Sequence, residues 1–275
     1  VSRAEENYQT LVKMGEGIEP PPGSQSDKPF SKFMEIYAAL CRFHMKTYGT
    51  TQRQIAAVCA KNHTHSVHNP FSQFRKPFTI DEVLAAPPIT YPITLPMCAP
   101  LSDGSAAAIL CTEEGLKRIG AEKSRCIKVA ASVIRSFTHR GLDQPELNIG
   151  RLAANQAYEI AGLGPKDMHV AEVHDASAMG EIIQAENLGL VELGMGGPAA
   201  ERGEFTIGGR IPINPSGGLE SKGHPIGATG IGQLYELVTQ LRGEAGARQV
   251  EGARHAIQEN GGGMQGVEEA AVAIH

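Results

Sequence analysis

No stretch of the 275 residues stays apolar for the roughly 20 residues that a membrane-crossing helix needs, so no membrane span is expected. Basic charge is also scarce. Twenty-five Lys and Arg against 30 Asp and Glu leave a net charge of -5, and nucleic acid, which requires a basic face, is not expected as a partner. The five cysteines, Cys41, Cys59, Cys98, Cys111 and Cys126, are odd in number and form no CxxC pair. A disulfide scaffold is therefore not expected, and a reducing compartment fits better. The closing AVAIH is no peroxisomal address, which leaves the cytoplasm as the default location. The chain opens on Val1 without an initiator methionine or a signal-peptide pattern, and reads as the continuation of something longer.

What is present suits a folded protein of one large domain or two modest ones: 41% hydrophobic and 20% charged residues. Residues 1–14 read as weakly helical, and 15–31, with prolines at 20, 21, 22 and 29, as an extended loop. Helical spacing of Met34, Ile36, Tyr37, Leu40 and Cys41 predicts a helix over 33–47. A second helix starts at a Thr50 or Thr51 cap and runs to about Lys61, and a short one covers 79–85 behind Thr79. Strands at 127–134, 168–173 and 270–274 then alternate with helices at 148–161, 176–188 and 227–241, which predicts a layered α/β architecture. SDGSAAAIL at 102–110 and QGVEEAAVAI at 265–274 both read as a glycine turn feeding a small-residue strand, a hint of a duplicated fold.

Four constellations could carry chemistry. In NPSGGLESKGHPIGATG, residues 214–230, glycines permit close ligand approach, and His224 sits where a helix begins. A helix dipole there favours a neutral imidazole able to accept a proton; the plain alternative is a glycine turn with a capping histidine. In VAEVHDASAMG a strand delivers His174 and Asp175 to its carboxyl end, where open α/β sheets bind ligands. Asp175 or Ser177 could equally be just a helix cap, and His174 a rim residue. ENGGGMQG, residues 259–266, could offer backbone amides to an oxyanion, or be a tight turn. His63, His65 and His68 have a spacing that could ligate zinc, but no cysteine or carboxylate nearby completes a site, and no metal is assigned. Lys46, Arg53, Lys61, Arg75 and Lys76 form a mildly basic neighbourhood, either solvated surface or a contact for a phosphorylated ligand.

Together YGTTQRQIA, NPFSQFRKPFTIDEVL, SDGSAAA, AGLGPKDMHVAEVHDAS, the long glycine-histidine stretch and the closing ENGGG resemble the thiolase superfamily, in its sterol-carrier-protein-type and archaeal-type branch. The resemblance implies a five-layer α/β/α/β/α fold of two similar halves, of which this chain holds mostly the second. Residues 1–85 would be a loop domain covering acyl-CoA, 86–120 the last strand and helix of the first half, and 121–275 the second half. It implies that His224 activates a nucleophilic cysteine, that His174 partners it, and that Gly262 or Gly261 supplies an oxyanion-hole amide. Asn214, Ser216, Gly217, Gly218 and Ser177 would line the substrate pocket. No cofactor is bound permanently; the coenzyme A thioester is substrate. A homodimer or larger complex is implied, with a small zinc-ribbon/OB-fold protein as a further partner.

This sequence also departs from the family pattern. His174-Asp175-Ala176-Ser177 stands where the branch reads His-Asp-Cys-Phe, and Glu259-Asn260 precedes the final glycines where other thiolases carry a second cysteine. None of the five cysteines lies in the setting of the nucleophile. Glu259 is a positional candidate for a base. Three readings follow: a thiolase-like acyl-CoA acyltransferase acting on a bulky or sterol-like chain, a thiolase-fold retro-aldolase acting on a β-hydroxyacyl-CoA, and a catalytically idle acyl-CoA-binding or scaffolding subunit.

Overall fold

The computed structural model of the chain describes residues 3–137, 140, 144–263 and 268–275. A helical layer comes first: α1 (Arg3–Lys13), α2 (Lys32–Tyr48), α3 (Gln52–Ser66) and α4 (Ile80–Leu84). Local chemistry sets their ends. Ser31 accepts from the Phe33 amide at the start of α2, and Gly49 closes that helix in the left-handed region. Thr51 with Gln54, and Thr79 with Glu82, form capping boxes on α3 and α4. α3 does not stop near Lys61; it carries His63 and His65 on to Ser66. Those polar side chains find partners elsewhere in the fold, so they no longer compete with the helix's own backbone hydrogen bonds.

A hairpin of β1 (Pro88–Thr90) and β2 (Ile93–Thr94) follows, then α5 (Glu113–Ile119), β3 (Ala131–Ser136), α6 (Ile149–Ala161), β4 (Val170–Glu172) and α7 (Ala178–Asn187). The chain continues through α8 (Gly196–Glu201), α9 (Gly218–Lys222), α10 (Thr229–Leu241), β5 (Ala256–Gly262) and β6 (Glu269–Ile274). The main sheet has the order β3-β6-β5-β4, with β4 parallel to β5 and the other pairs antiparallel. Side-chain alternation sends Ala171, Ile257, Val272 and Val133 into one core with the alanines of α6 and with Met179 and Ile182 of α7. Val170 and Ala256 point the other way, onto Leu237 of α10. Full burial of Leu237 stabilises this docking by about 2 kcal/mol. The result is helix, sheet, helix: one half of the expected layered arrangement, with α3 laid against α7, α8 and α9.

Two expectations fail. Residues 102–110 form no strand among the described residues, and Leu101, Ile109 and Leu110 stand 99%, 87% and 78% exposed. Small residues favour an extended path, but a strand also needs a neighbour's amides and carbonyls, and here it has none. The internal echo loses its first copy accordingly; its second begins outside the described residues and ends in β6. Conversely, Gly261 and Gly262, read as loop, belong to β5, opposite Ala270 and Glu269. The part of that glycine segment over 264–266 lies outside the described residues.

Candidate active site

β4 stops at Glu172, and the chain runs past the sheet edge to His174. From the other side the loop between α9 and α10 brings in His224. Their Nε2 atoms lie 3.4 Å apart, with the rings edge to face at 5.0 Å between centroids. The His224 amide donates to Ser102 Oγ at 3.2 Å, and that hydroxyl donates to Gln73 Oε1 at 2.6 Å. His224 Nδ1 lies 2.7 Å from Thr229 Oγ1, and the Thr229 hydroxyl donates to the Pro225 carbonyl at 3.1 Å. With its one proton spent there, Thr229 Oγ1 accepts from His224 Nδ1–H. The lone pair of His224 is thereby left on Nε2, facing the Nε2–H of His174.

Both rings are neutral near pH 7. Burial, reinforced by the neighbouring His224, pushes His174 down to about 4. Burial, followed by the charge of Lys222, lowers His224. α10 begins at Thr229 rather than Gly227, and its first hydroxyl reaches the His224 imidazole, which therefore sits at the start of that helix. Sequence reasoning missed Ser102, Gln73 and Thr229, because their relation to His224 is set by chain segments far apart or by a turn with no distinctive spacing.

Glu259 does not fit the role of a resting base. It is fully buried, its Oε2 accepts the His174 amide at 3.1 Å, and its Oε1 has no hydrogen-bond partner. Burial pushes its carboxyl up to about 8, so it is protonated at neutral pH. An added Cβ at Gly261 would stand 2.9 Å from that Oε1, so the glycine leaves room for the carboxyl.

The residues expected to line the pocket lie inside the protein instead. Asn214, the one non-glycine residue with positive φ among those described (53°), is fully buried. It donates to Glu181 at 2.9 Å and accepts the Val173 amide at 2.8 Å. Ser216 gives its amide and hydroxyl to Glu172 at 3.0 and 2.8 Å. Gly217 and Gly218 pass where side chains cannot: an added Cβ would lie 2.5 Å from Ser66 Cβ and 2.1 Å from Asp175 Oδ2. Asp175 caps no part of α7; it accepts the Leu219 amide of α9 at 2.8 Å. Ser177 precedes α7 with its hydroxyl buried and unpaired, making no cap.

The histidine group disperses on folding, and of the basic neighbourhood only Lys46, Arg75 and Lys76 stay exposed without an ion-paired carboxylate among the described residues. His63 turns to Pro96 O and Ser221 Oγ, while His65 bonds Asn214 O and the Ile207 amide. No cluster of three metal-ligating side chains occurs among the described residues. Lys61 is buried against Glu181 at 2.6 Å, and Arg53 pairs with Asp81 and Glu201. A cavity of about 480 Å³ between α3, α8 and the 203–207 segment excludes both His174 and His224. Its cationic lining, Lys61 and Arg248, is committed to Glu181 and Glu236.

Residues 137–274 match the family model described as thiolase C-terminal domain-like. Over 264 residues the chain is 40% identical to an acetyl-CoA acetyltransferase of Methanothermobacter thermautotrophicus, covering 93% of this chain and 69% of that protein. This chain belongs to the thiolase family. It is also 44% identical over 232 residues to sterol carrier protein 2 of Oryctolagus cuniculus, covering 82% of this chain but 42% of that protein. This thiolase chain thus spans less than half the length of that relative. The fold agrees with a solved Ltp2-ChsH2(DUF35) aldolase at TM-score 0.69 and 20% identity, over 86% of this chain and 62% of that one. Among the described residues no helix of this thiolase chain is long and apolar enough to cross a membrane.

Proposed function

We propose that this chain is the C-terminal part of a thiolase-like acyl-CoA enzyme that makes or breaks a carbon–carbon bond beside a coenzyme A thioester. The observation that carries the reading is the neutral imidazole pair, Nε2 to Nε2 at 3.4 Å, at the carboxyl end of β4. In it His224 Nε2 takes a proton from a thiol or a carbon acid, and His174 Nε2–H donates to the thioester oxygen as negative charge develops. Gly262, with Gly261, contributes a backbone donor where β5 runs on beyond the end of β4. The nucleophile is a cysteine outside this chain. Cys41 and Cys59 are buried and their thiols pushed up, burial pushes Cys98 up to about 12, and Cys111 and Cys126 stand on the exposed surface, Cys126 donating to the Glu122 carbonyl. Asn214, Ser216, Gly217, Gly218 and Ser177 serve by shaping the loops rather than by touching the substrate.

The likeness to sterol carrier protein 2 supports a bulky or sterol-like acyl chain. Residues 1–85 act as the cover over acyl-CoA, and no permanently bound cofactor is required. In this reading the protein is cytoplasmic and works as a homodimer or larger complex. A partner subunit is supported by the two-component name of the aldolase neighbour, and the family resemblance makes it a small zinc-ribbon/OB-fold protein. Intact-mass spectrometry of the complete protein with an acyl-CoA tests the proposal: an acyl group on a cysteine is expected. Cleavage of a β-hydroxyacyl-CoA without any adduct would support the retro-aldolase reading instead, which the aldolase neighbour and Ala176 in the cysteine's place favour. Neither adduct nor turnover would leave the idle-subunit reading.

A further inference from the structure

Behind the two histidines lies a buried cluster that sequence reading did not anticipate. Asn62 of α3 is fully buried, and its Nδ2 lies 3.0 Å from Asp175 Oδ2, 3.1 Å from Glu181 Oε2 and 3.3 Å from Glu220 Oε1. The carboxyls come from three places. Asp175 follows His174 directly, Glu220 sits on α9 just before His224, and Glu181 lies on α7. Lys61 adds the one cation, 2.6 Å from Glu181 Oε1, and donates to Ile213 O at 2.5 Å. The rest of this face of α3 grips the same loop: Ser66 meets Ser221 at 2.6 Å, and His65 bonds Asn214 O at 3.0 Å. Farther along, Asn69 donates to Ser216 O at 2.8 Å.

The geometry points to Asn62 as a positioning residue: its carboxamide ties the loop carrying His174 to the helix leading into His224, and so fixes the separation of the two imidazoles. Two N–H bonds cannot serve three ionised carboxylates, and one lysine cannot neutralise them. The cluster therefore holds at least one proton. Burial raises Asp175 and Glu181 and pushes Glu220 to about 8, in keeping with that count. Asn62 Oδ1 is buried without a partner, so the carboxamide reaches the three carboxyls through Nδ2 alone. Without Asn62, Asp175 keeps only the Leu219 amide, and the His174 segment loses this bond to α3, while Ser66 and Asn69 still hold the loop leading to His224.

The consequence for catalysis rests on the acyl-CoA reading, but the test does not. It is a long-range 1H–15N titration of the imidazoles in this chain, comparing the parent with Asn62→Leu, a near-isosteric change without hydrogen-bonding groups. Helical circular dichroism and a cooperative thermal transition verify folding. With the anchor gone the pair should separate and hydrate, so the His174 midpoint should rise from about 4 by about one pH unit toward the ordinary imidazole range. The Nε2 shifts of both rings should move with it. An unchanged titration in folded Asn62→Leu overturns the proposal and leaves Asn62 a packing residue. If Asn62→Leu does not fold, Asn62→Ser, which keeps one donor, is titrated in its place: a smaller rise supports the assignment, and no rise overturns it. Because no turnover is measured, this result is independent of whether the chain's acyl-CoA chemistry is established.

Discussion

Replacing Glu259 with glutamine should convert a pH-dependent stability into a flatter one. In the unfolded chain a glutamate carboxyl titrates near about 4.3. In the folded protein Glu259 is fully buried, with one amide donor to its Oε2 and nothing on Oε1, and titrates near about 8. Between those values the native state holds a proton that the unfolded state lacks. The group's favourable contribution is complete below the unfolded pKa, declines as pH rises, and is lost through the folded pKa. At about 1.4 kcal/mol per unit, a window of nearly four units sets an upper bound on the order of 5 kcal/mol. Glutamine keeps the shape and the carbonyl that accepts the His174 amide, but cannot ionise. Urea denaturation at pH 5 and at pH 8 reads the difference by linear extrapolation. Glu259→Gln and the parent should be alike within about 1 kcal/mol at pH 5, and the variant more stable by about 2 kcal/mol or more at pH 8. Glu220 drives the parent's stability in the same direction, so the comparison between proteins, not the parent's slope alone, isolates Glu259. A difference independent of pH would refute the assignment of Glu259 as a buried, protonated acid.

Other perturbations follow from the same contacts. In the complete protein His224→Ala should lower acyl-CoA turnover by roughly two to four orders of magnitude without loss of folding, as for a general base; unchanged kcat would remove that role. His174→Ala should cost less, roughly 10- to 1000-fold, as for a single lost oxyanion donor, and an unchanged rate would return His174 to a rim residue. Lys61→Met takes the one cation from a cluster in which Glu181 is fully buried, and should destabilise the fold by about 3–5 kcal/mol. Calorimetry should then show a Tm lower by roughly 10 °C; an unchanged Tm would mean the carboxyls are neutral without it.

Local signals in the sequence sufficed for what local physics controls. Thr51 and Thr79 announce helix starts because a cap acts within three residues, and the apolar period of 33–47 announces the face that α2 buries. The chain order of strand, His174, glycine loop and His224 was equally legible, together with the family it belongs to. Pairing and burial were not. The strand expected at 102–110 fails for want of a neighbour, and β5 runs through glycines that look like a loop, because a sheet is made by partners remote in sequence. Lys61, His63 and His65 read as surface or ligand residues, yet folding buries them, since only the tertiary structure supplies the Glu181, Ser221 and Asn214 atoms that make their burial tolerable. The residue types at the candidate site were thus determined by the sequence alone. The tautomer of His224, the protonation of Glu259 and the three-way contact of Asn62 were decided by the tertiary structure, because each depends on which distant groups exclude water and which hydrogen-bond partner arrives in its place.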